Sequence, residues 1–175
     1  EMLRSLVGSE MCIRDRDIPL NEEGREMAEK AREEYKNLNI DICYCSPLVR
    51  AKETAEIVLR GRNIPILPDD RLVEISFGKY EGMDFKNPDC AINVMYQSPA
   101  EYTESIGGAE TFQELFARTG EFLKEIVEPR LQEGKDILIV GHGAMNASIV
   151  CQINNLPIEQ FWSAGLAQCK ILKLK

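Results

Sequence analysis

The stretch ILIVGHGAMNASIV, residues 137–150, decides the fold. It opens with a continuous apolar run, which is typical of a strand buried on both faces of a parallel sheet. Gly141 and Gly143 predict a tight turn after that strand, and the residues that follow predict a helix over residues 144–153. His142, the one histidine of the chain, therefore stands at the carboxyl end of a buried strand, immediately before a helix.

Strands and helices alternate through the rest of the chain. Apolar residues spaced by three and four after Asn21 predict a helix that ends near Asn39, with Asn21 as its cap. Ser46 and Pro47 have the cap-then-proline pattern of a second helix, which runs to about Arg60. The other predicted elements are strands over residues 40–46, 64–68 and 168–175, a capped helix over residues 111–126, a short helix from Pro157, and a long loop over residues 69–108.

This alternation predicts an α/β fold, a three-layer α/β/α sandwich with helices on both faces of a mostly parallel sheet. The chain has 175 residues, of which 44% are hydrophobic and 29% charged, as expected of one globular domain. Its net charge of −8 argues against nucleic acid or an anionic membrane as a partner, because either would be repelled over most of the surface.

Cysteine spacing and hydropathy indicate the compartment. The six cysteines lack the C-x-x-C spacing of a zinc site and fall mostly in apolar segments, so we expect reduced thiols in the core and no metal. No apolar run approaches the ~20 residues of a membrane span, and residues 1–16 carry charges where a signal peptide would be apolar. The sequence therefore predicts a soluble, cytoplasmic protein.

Two residues are candidates for binding an anion. Arg50 is expected in the first turn of its helix, where its guanidinium and the positive end of the helix dipole would point the same way. His142 would lie at the same edge of the sheet, where α/β folds bind their ligands. Each has a structural alternative: Arg50 as a solvated or salt-bridged surface group, and His142 as a hydrogen-bonded structural histidine.

Four motifs in order carry a family resemblance. They are SPLVRAKETA (46–55), RLVEISFGKYEG (71–82), GGAETF (107–112) and ILIVGHGA (137–144). Together with DIPLNEEGREMA (17–28), they resemble the histidine phosphatase superfamily, also called the phosphoglycerate-mutase-like family, and in particular its small phosphatases. The likeness runs from Asp17 to the end of the chain.

The resemblance implies a phosphohydrolase or phosphotransferase that needs no metal or other cofactor, with a nucleophilic histidine that is transiently phosphorylated. By motif position, Arg50 would bind the phosphoryl oxygens, and His142 would be the second histidine, which hydrogen-bonds the transferring group. Glu74 would be the general acid that protonates the leaving oxygen and later activates water, with Glu81 as the alternative acid. Either carboxylate could instead be a solvated surface group.

Residues 1–16 depart from the family. The family begins with a strand that ends in Arg-His-Gly and carries the nucleophilic histidine, whereas this leader, EMLRSLVGSEMCIRDR, contains no histidine. We therefore predict a non-homologous leader over residues 1–16, an artefact of sequencing or assembly, and a histidine-phosphatase-like domain over residues 17–175. The first central strand is expected to be lost or replaced, with poor packing or a gap at its place in the sheet.

The leading functional hypothesis is a phosphomonoesterase that acts on a small phosphorylated metabolite through a phosphohistidine, and that is impaired in this chain because the nucleophile is absent. The alternatives are a phosphoglycerate mutase-type phosphotransferase and a non-catalytic anion-binding domain. The short loop between Glu74 and Gly107 favours the phosphatase. No residue of the specificity loop, residues 82–108, points to one metabolite, and no motif indicates an oligomeric state.

Overall fold

Strands β1 (Met2–Arg4), β2 (Ile42–Cys45), β3 (Ile66–Pro68), β4 (Ile137–Gly141) and β5 (Ile171–Leu172) form one sheet. The computed structural model describes residues 2–4, 17–82, 90–164 and 168–174. Within these residues the order across the sheet is β3-β2-β4-β1-β5.

β4 lies at the centre of the sheet, and all of its residues are buried. It pairs in parallel with β2, where Tyr44 is opposite Ile139, and with β1, where Leu3 is opposite Val140. β3 lies parallel to β2 at one edge, and β5 runs antiparallel to β1 at the other. The mostly parallel α/β sheet predicted from the sequence is therefore confirmed, and the proline-bounded strand lies at an edge as expected.

The place of the first central strand is filled. Three residues of the leader, strand β1, lie between β4 and β5 and pair with both. At these residues the first central strand is therefore replaced, as expected, and no gap is present, because a short ladder needs only backbone N–H and C=O groups and no long apolar run. Residues 5–16 of the leader lie outside the described residues, so its predicted poor packing and its boundary at residue 17 stay predictions.

Helices cover both faces of the sheet. The described α-helices are α1 (Glu22–Tyr35), α2 (Val49–Val58), α3 (Val94–Gln97), α4 (Phe112–Phe122), α5 (Glu128–Gln132) and α6 (Gly143–Asn154). On one face α1 and α2 pack against Cys43, Cys45 and Val140, and on the other α4 and α6 pack against Tyr44 and Ile139. A π-helical turn at Leu123–Val127 joins α4 to α5.

Capping patterns in the sequence predict the starts of two helices correctly and the start of a third incorrectly. Asn21 accepts the N–H of Gly24 and caps α1, and the Thr111–Glu114 capping box at α4 is present. The second helix, however, begins at Val49 rather than at Pro47, and its first amide donates to a carboxylate from a distant part of the chain, not to Ser46. None of the helices in the described part of the chain combines the length and apolar character that crossing a bilayer requires.

The cysteines of the described residues, Cys43, Cys45, Cys90, Cys151 and Cys169, are buried and carry free thiols. Burial raises the pKa of Cys45 and of Cys169 to about 11. These thiols are therefore uncharged at neutral pH and are poor nucleophiles. This agrees with the prediction of core thiols; Cys12 lies outside the described residues.

Candidate active site at the carboxyl edge of the sheet

The candidate site lies where β2 and β4 end side by side. The N–H of Ser46, just after β2, donates to the carbonyl oxygen of Val140 over 3.0 Å. Arg50 follows in the first turn of α2, and His142 directly precedes α6. Both side chains are buried: Arg50 is 3% exposed and His142 is 4% exposed. Arg50 is thus not the solvated surface group of the structural alternative.

The Arg50 guanidinium is surrounded by acidic groups. Burial lowers the pKa of Arg50, and the negative charges of Glu74, Asp17 and Glu81 oppose that decrease. Two segments that are far apart in the sequence, one with Asp17 and one with Glu74 and Glu81, therefore act on one buried arginine. Both carboxylates that the sequence suggested as the proton donor, Glu74 and Glu81, are among them.

Glu74 caps helix α6. Its Oε1 accepts the N–H of Met145 over 3.1 Å, and its Oε2 accepts the N–H of Ala144 over 3.3 Å. His142 is the N-cap residue of this helix but makes no side-chain cap hydrogen bond. The carboxylate thus satisfies amides that every helix leaves open at its start, and its charge is favourable at the positive end of the helix dipole. This contact also brings Glu74 next to His142 in the structure.

Gly141 ends β4, directly before His142, and has no space for a side chain. A Cβ added to Gly141 would lie 1.7 Å from the Cε of Met145 and 3.2 Å from the Oδ1 of Asn146. The glycine therefore makes room for side chains of its own following helix.

Asp17 was missed as a structural residue of this site. Its Oδ1 accepts the N–H of Val49 over 2.6 Å and so caps α2, the helix that carries Arg50. Nearby, the N–H of Leu20 donates to Glu53 of the same helix over 2.6 Å. Two hydrogen bonds therefore join the DIPL segment to the SPLVRAKETA segment. No local pattern signals these contacts, because the partners are about thirty residues apart in the sequence.

Glu81 has a local role in the loop. Its Oε1 accepts the N–H of Phe77 over 2.7 Å, which closes the turn that contains Gly78–Tyr80. Its charge also acts on Arg50. Glu74 is the candidate acid whose carboxylate accepts hydrogen bonds from the first turn of α6.

The SFGKYEG and GGAETF motifs pack directly against each other. The N–H of Lys79 donates to the carbonyl oxygen of Gly107 over 3.0 Å. Gly78 has a φ of +53°, and a Cβ added there would lie 2.4 Å from that carbonyl oxygen and 2.5 Å from the carbonyl carbon of Gly108. Only glycine fits this close backbone approach, which keeps the loop that follows Glu74 in place.

Gly78→Ala is therefore expected to lower the free energy of unfolding by about 3 kcal/mol or more, because left-handed strain adds to a backbone clash. Gly82→Ala is the matched control: Gly82 has a φ of +78°, but no atom of the described residues lies within 4 Å of an added Cβ. The control should lose only about 1–2 kcal/mol. Urea unfolding followed by circular dichroism measures both, and equal losses would contradict the packing argument.

The comparisons with known proteins agree with this architecture. Residues 8–175 match the family model of the histidine phosphatase superfamily, branch 1. The chain belongs to the histidine phosphatase superfamily. The match begins at residue 8, inside the leader, and no nucleophilic Arg-His-Gly segment precedes Asp17 in the sequence. Among the described residues of this family member, no cluster of three or more His, Cys, Asp or Glu could hold a metal ion.

Relatives of this family member include proteins named as phosphatases and proteins named as mutases. The protein named uncharacterized phosphatase PhoE of Bacillus subtilis is 32% identical over 144 residues, which cover 82% of this chain and 68% of that protein. A 2,3-bisphosphoglycerate-dependent phosphoglycerate mutase of Parvibaculum lavamentivorans is 30% identical over 165 residues, covering 87% of this chain and 76% of that protein. The solved structure of Bacillus stearothermophilus YhfR has a TM-score of 0.79 at 30% identity and covers 93% of this chain and 83% of its own.

Proposed function

We propose that this chain descends from a phosphomonoesterase that hydrolyses a small phosphorylated metabolite, and that it retains the phosphate pocket but turns over poorly. The observation that carries the proposal is the buried Arg50 beside Glu74, which is itself bound next to His142. Buried charged groups brought together at the carboxyl edge of an α/β sheet are typical of a ligand site.

In the proposed reaction, Arg50 and His142 hold the phosphoryl oxygens. A histidine nitrogen bonds to phosphorus as the ester P–O bond breaks, and Glu74 gives its proton to the leaving oxygen. Water then attacks the phosphohistidine, Glu74 takes a proton from that water, and the P–N bond breaks to release inorganic phosphate. The nucleophile in this scheme is a second histidine, whereas this sequence contains only His142.

The absence of a second histidine also bears on how the chain is divided into domains. We propose that residues 1–16 are a non-homologous leader in front of a phosphatase domain over residues 17–175. His142 does not serve as the nucleophile in this scheme, because it would leave the pocket without a second histidine. In this proposal turnover is impaired because the leader lacks the nucleophile, whereas the pocket residues Arg50, Glu74 and His142 are retained.

Two alternatives remain distinct from this proposal. A mutase-type phosphotransferase is favoured by the 30% identity to the phosphoglycerate mutase, and it would require a bisphosphorylated cofactor for turnover. A non-catalytic anion-binding domain is favoured by the single histidine. Dependence of turnover on 2,3-bisphosphoglycerate identifies the first, and phosphate binding without turnover even after repair of the leader identifies the second.

Inorganic phosphate is expected to bind the chain and to displace the ring resonances of its one histidine in a saturable way. Arg50→Lys, which keeps the charge but loses the planar fork, should weaken this binding about tenfold or more. NMR titration at constant ionic strength measures both. The control is Arg130→Lys, because Arg130 is an exposed arginine paired with Glu133; a response to phosphate that is equal in all three proteins contradicts an Arg50 site.

A further inference from the structure

The segment that carries Glu74 has no secondary structure of its own. Residues 73–77 lie between the helical turns Asp70–Leu72 and Gly78–Tyr80 and belong to neither a helix nor a strand. Ladder hydrogen bonds therefore do not fix the direction of the Glu74 side chain. The buried side chains of Leu72 and Ile75 anchor the segment to the core, and the N–H of Ile75 donates to the Oε1 of Glu74 over 3.0 Å. The contacts of Glu74 with α6 therefore depend on where the backbone of this segment is held.

Arg118 of α4 holds the chain on the amino-terminal side of Glu74. Its Nη1 donates to the carbonyl oxygens of Arg71 and Val73, over 2.6 Å and 2.7 Å. Its Nε and Nη2 donate to the two carboxylate oxygens of Glu110, over 2.6 Å and 3.0 Å. Four of the five guanidinium N–H groups are thus used within one plane.

Glu110 holds the chain on the carboxyl-terminal side. Its backbone N–H donates to the carbonyl oxygen of Ser76 over 2.8 Å, and its Oε2 accepts the N–H of Ser76 over 3.2 Å. The side chains of Arg118 and Glu110 are only 18% and 12% exposed. This largely buried pair therefore forms hydrogen bonds with the backbone of Val73, directly before Glu74, and of Ser76, two residues after it.

We propose that Arg118 and Glu110 are positioning residues, whose pair holds Glu74 against the first turn of α6. The proposal rests on the function proposed above for Glu74 as proton donor. Both residues act on Glu74 through the backbone of residues 71–76. A lysine at position 118 cannot replace the arginine, because an ammonium group lacks the planar fork that meets two carbonyls and a carboxylate at once.

The amide protons of Ala144 and Met145 report the position of Glu74, because both donate to its carboxylate. In the full chain, Glu74→Gln gives the reference displacement of these two resonances. Arg118→Lys is expected to move both in the same direction by at least half of that displacement. The amide of Val49, which donates to Asp17, should stay in place and serves as an internal control.

Arg130→Lys is the matched surface control and should move neither resonance. If Arg118→Lys lowers the melting temperature but leaves Ala144 and Met145 unchanged, the pair is merely structural and the proposal is overturned. If Arg118→Lys does not fold, Glu110→Gln takes its place, because it weakens the same pair and keeps a side-chain oxygen for Ser76. A failure of the proposed function is distinguished by the phosphate titration: in that case phosphate does not bind, independently of any change in the Ala144 and Met145 resonances.

Discussion

Replacing residues 1–16 with a family-type leader is expected to raise the hydrolysis of p-nitrophenyl phosphate by about 10³-fold or more. The new strand must end in Arg-His-Gly, with its arginine opposite Gly141 as Arg4 is now. A histidine one residue further along that strand would come level with His142. The gain comes from a nucleophile and a second phosphate arginine, which together supply the groups that the retained pocket lacks. Initial rates of the original and repaired chains measure it.

The control for this repair is the same leader with its motif histidine changed to asparagine, which restores the strand and the arginine but no nucleophile. Acid-labile phosphohistidine should form on the motif histidine of the repaired chain. If the original chain hydrolyses the substrate as fast as the repaired one, and phosphate is found on His142, then the lone histidine is the nucleophile and the assigned roles are wrong.

In the repaired chain, Glu74→Gln is expected to lower kcat/KM for an alkyl phosphate such as β-glycerophosphate by about 10²–10³-fold. For p-nitrophenyl phosphate the loss should be far smaller, because p-nitrophenolate leaves without needing a proton. The ratio of the two kcat/KM values therefore isolates proton donation from binding. Glutamine keeps one of the two acceptor oxygens that Glu74 offers to the amides of Ala144 and Met145, so one of these two cap contacts of α6 is retained.

Glu81→Gln is the matched control for this prediction, because Glu81 also acts electrostatically on Arg50 but binds the Phe77 amide within its own loop. It should leave the ratio between the two substrates unchanged. A selective loss on the alkyl phosphate in the Glu81 variant, with none in the Glu74 variant, would assign the acid to Glu81 instead.

The sequence predicts those parts of the fold that local chemistry determines. The apolar run of β4 requires burial on both faces, and the Thr111–Glu114 box fixes the start of α4 through contacts within one turn. The edge position of β3 follows from its prolines. The placement of Arg50 and His142 at one edge follows in turn, because the carboxyl ends of neighbouring parallel strands meet there.

The contacts that the sequence could not predict all join distant segments. The cap of α2 is Asp17, the cap of α6 is Glu74, and the pair that holds Glu74 is Arg118 with Glu110. From its sequence neighbours alone, each of these charged residues would be predicted to lie on an exposed part of a helix or loop. Strand β1 was missed for the opposite reason, since three residues give no periodicity from which a strand could be inferred.

The pairing of β1 has a consequence for the order in which the nascent chain acquires structure. Leu3 pairs with Val140 and with Ile171, so β1 has partners on both sides only after two strands that lie much further along the chain have been translated. Until β5 is added, the free side of β1 presents an open row of backbone groups, which is a template for association with other chains. Such distant pairings are slow to form. In a newly made molecule, β1 therefore gains its second partner only after β5 has been translated.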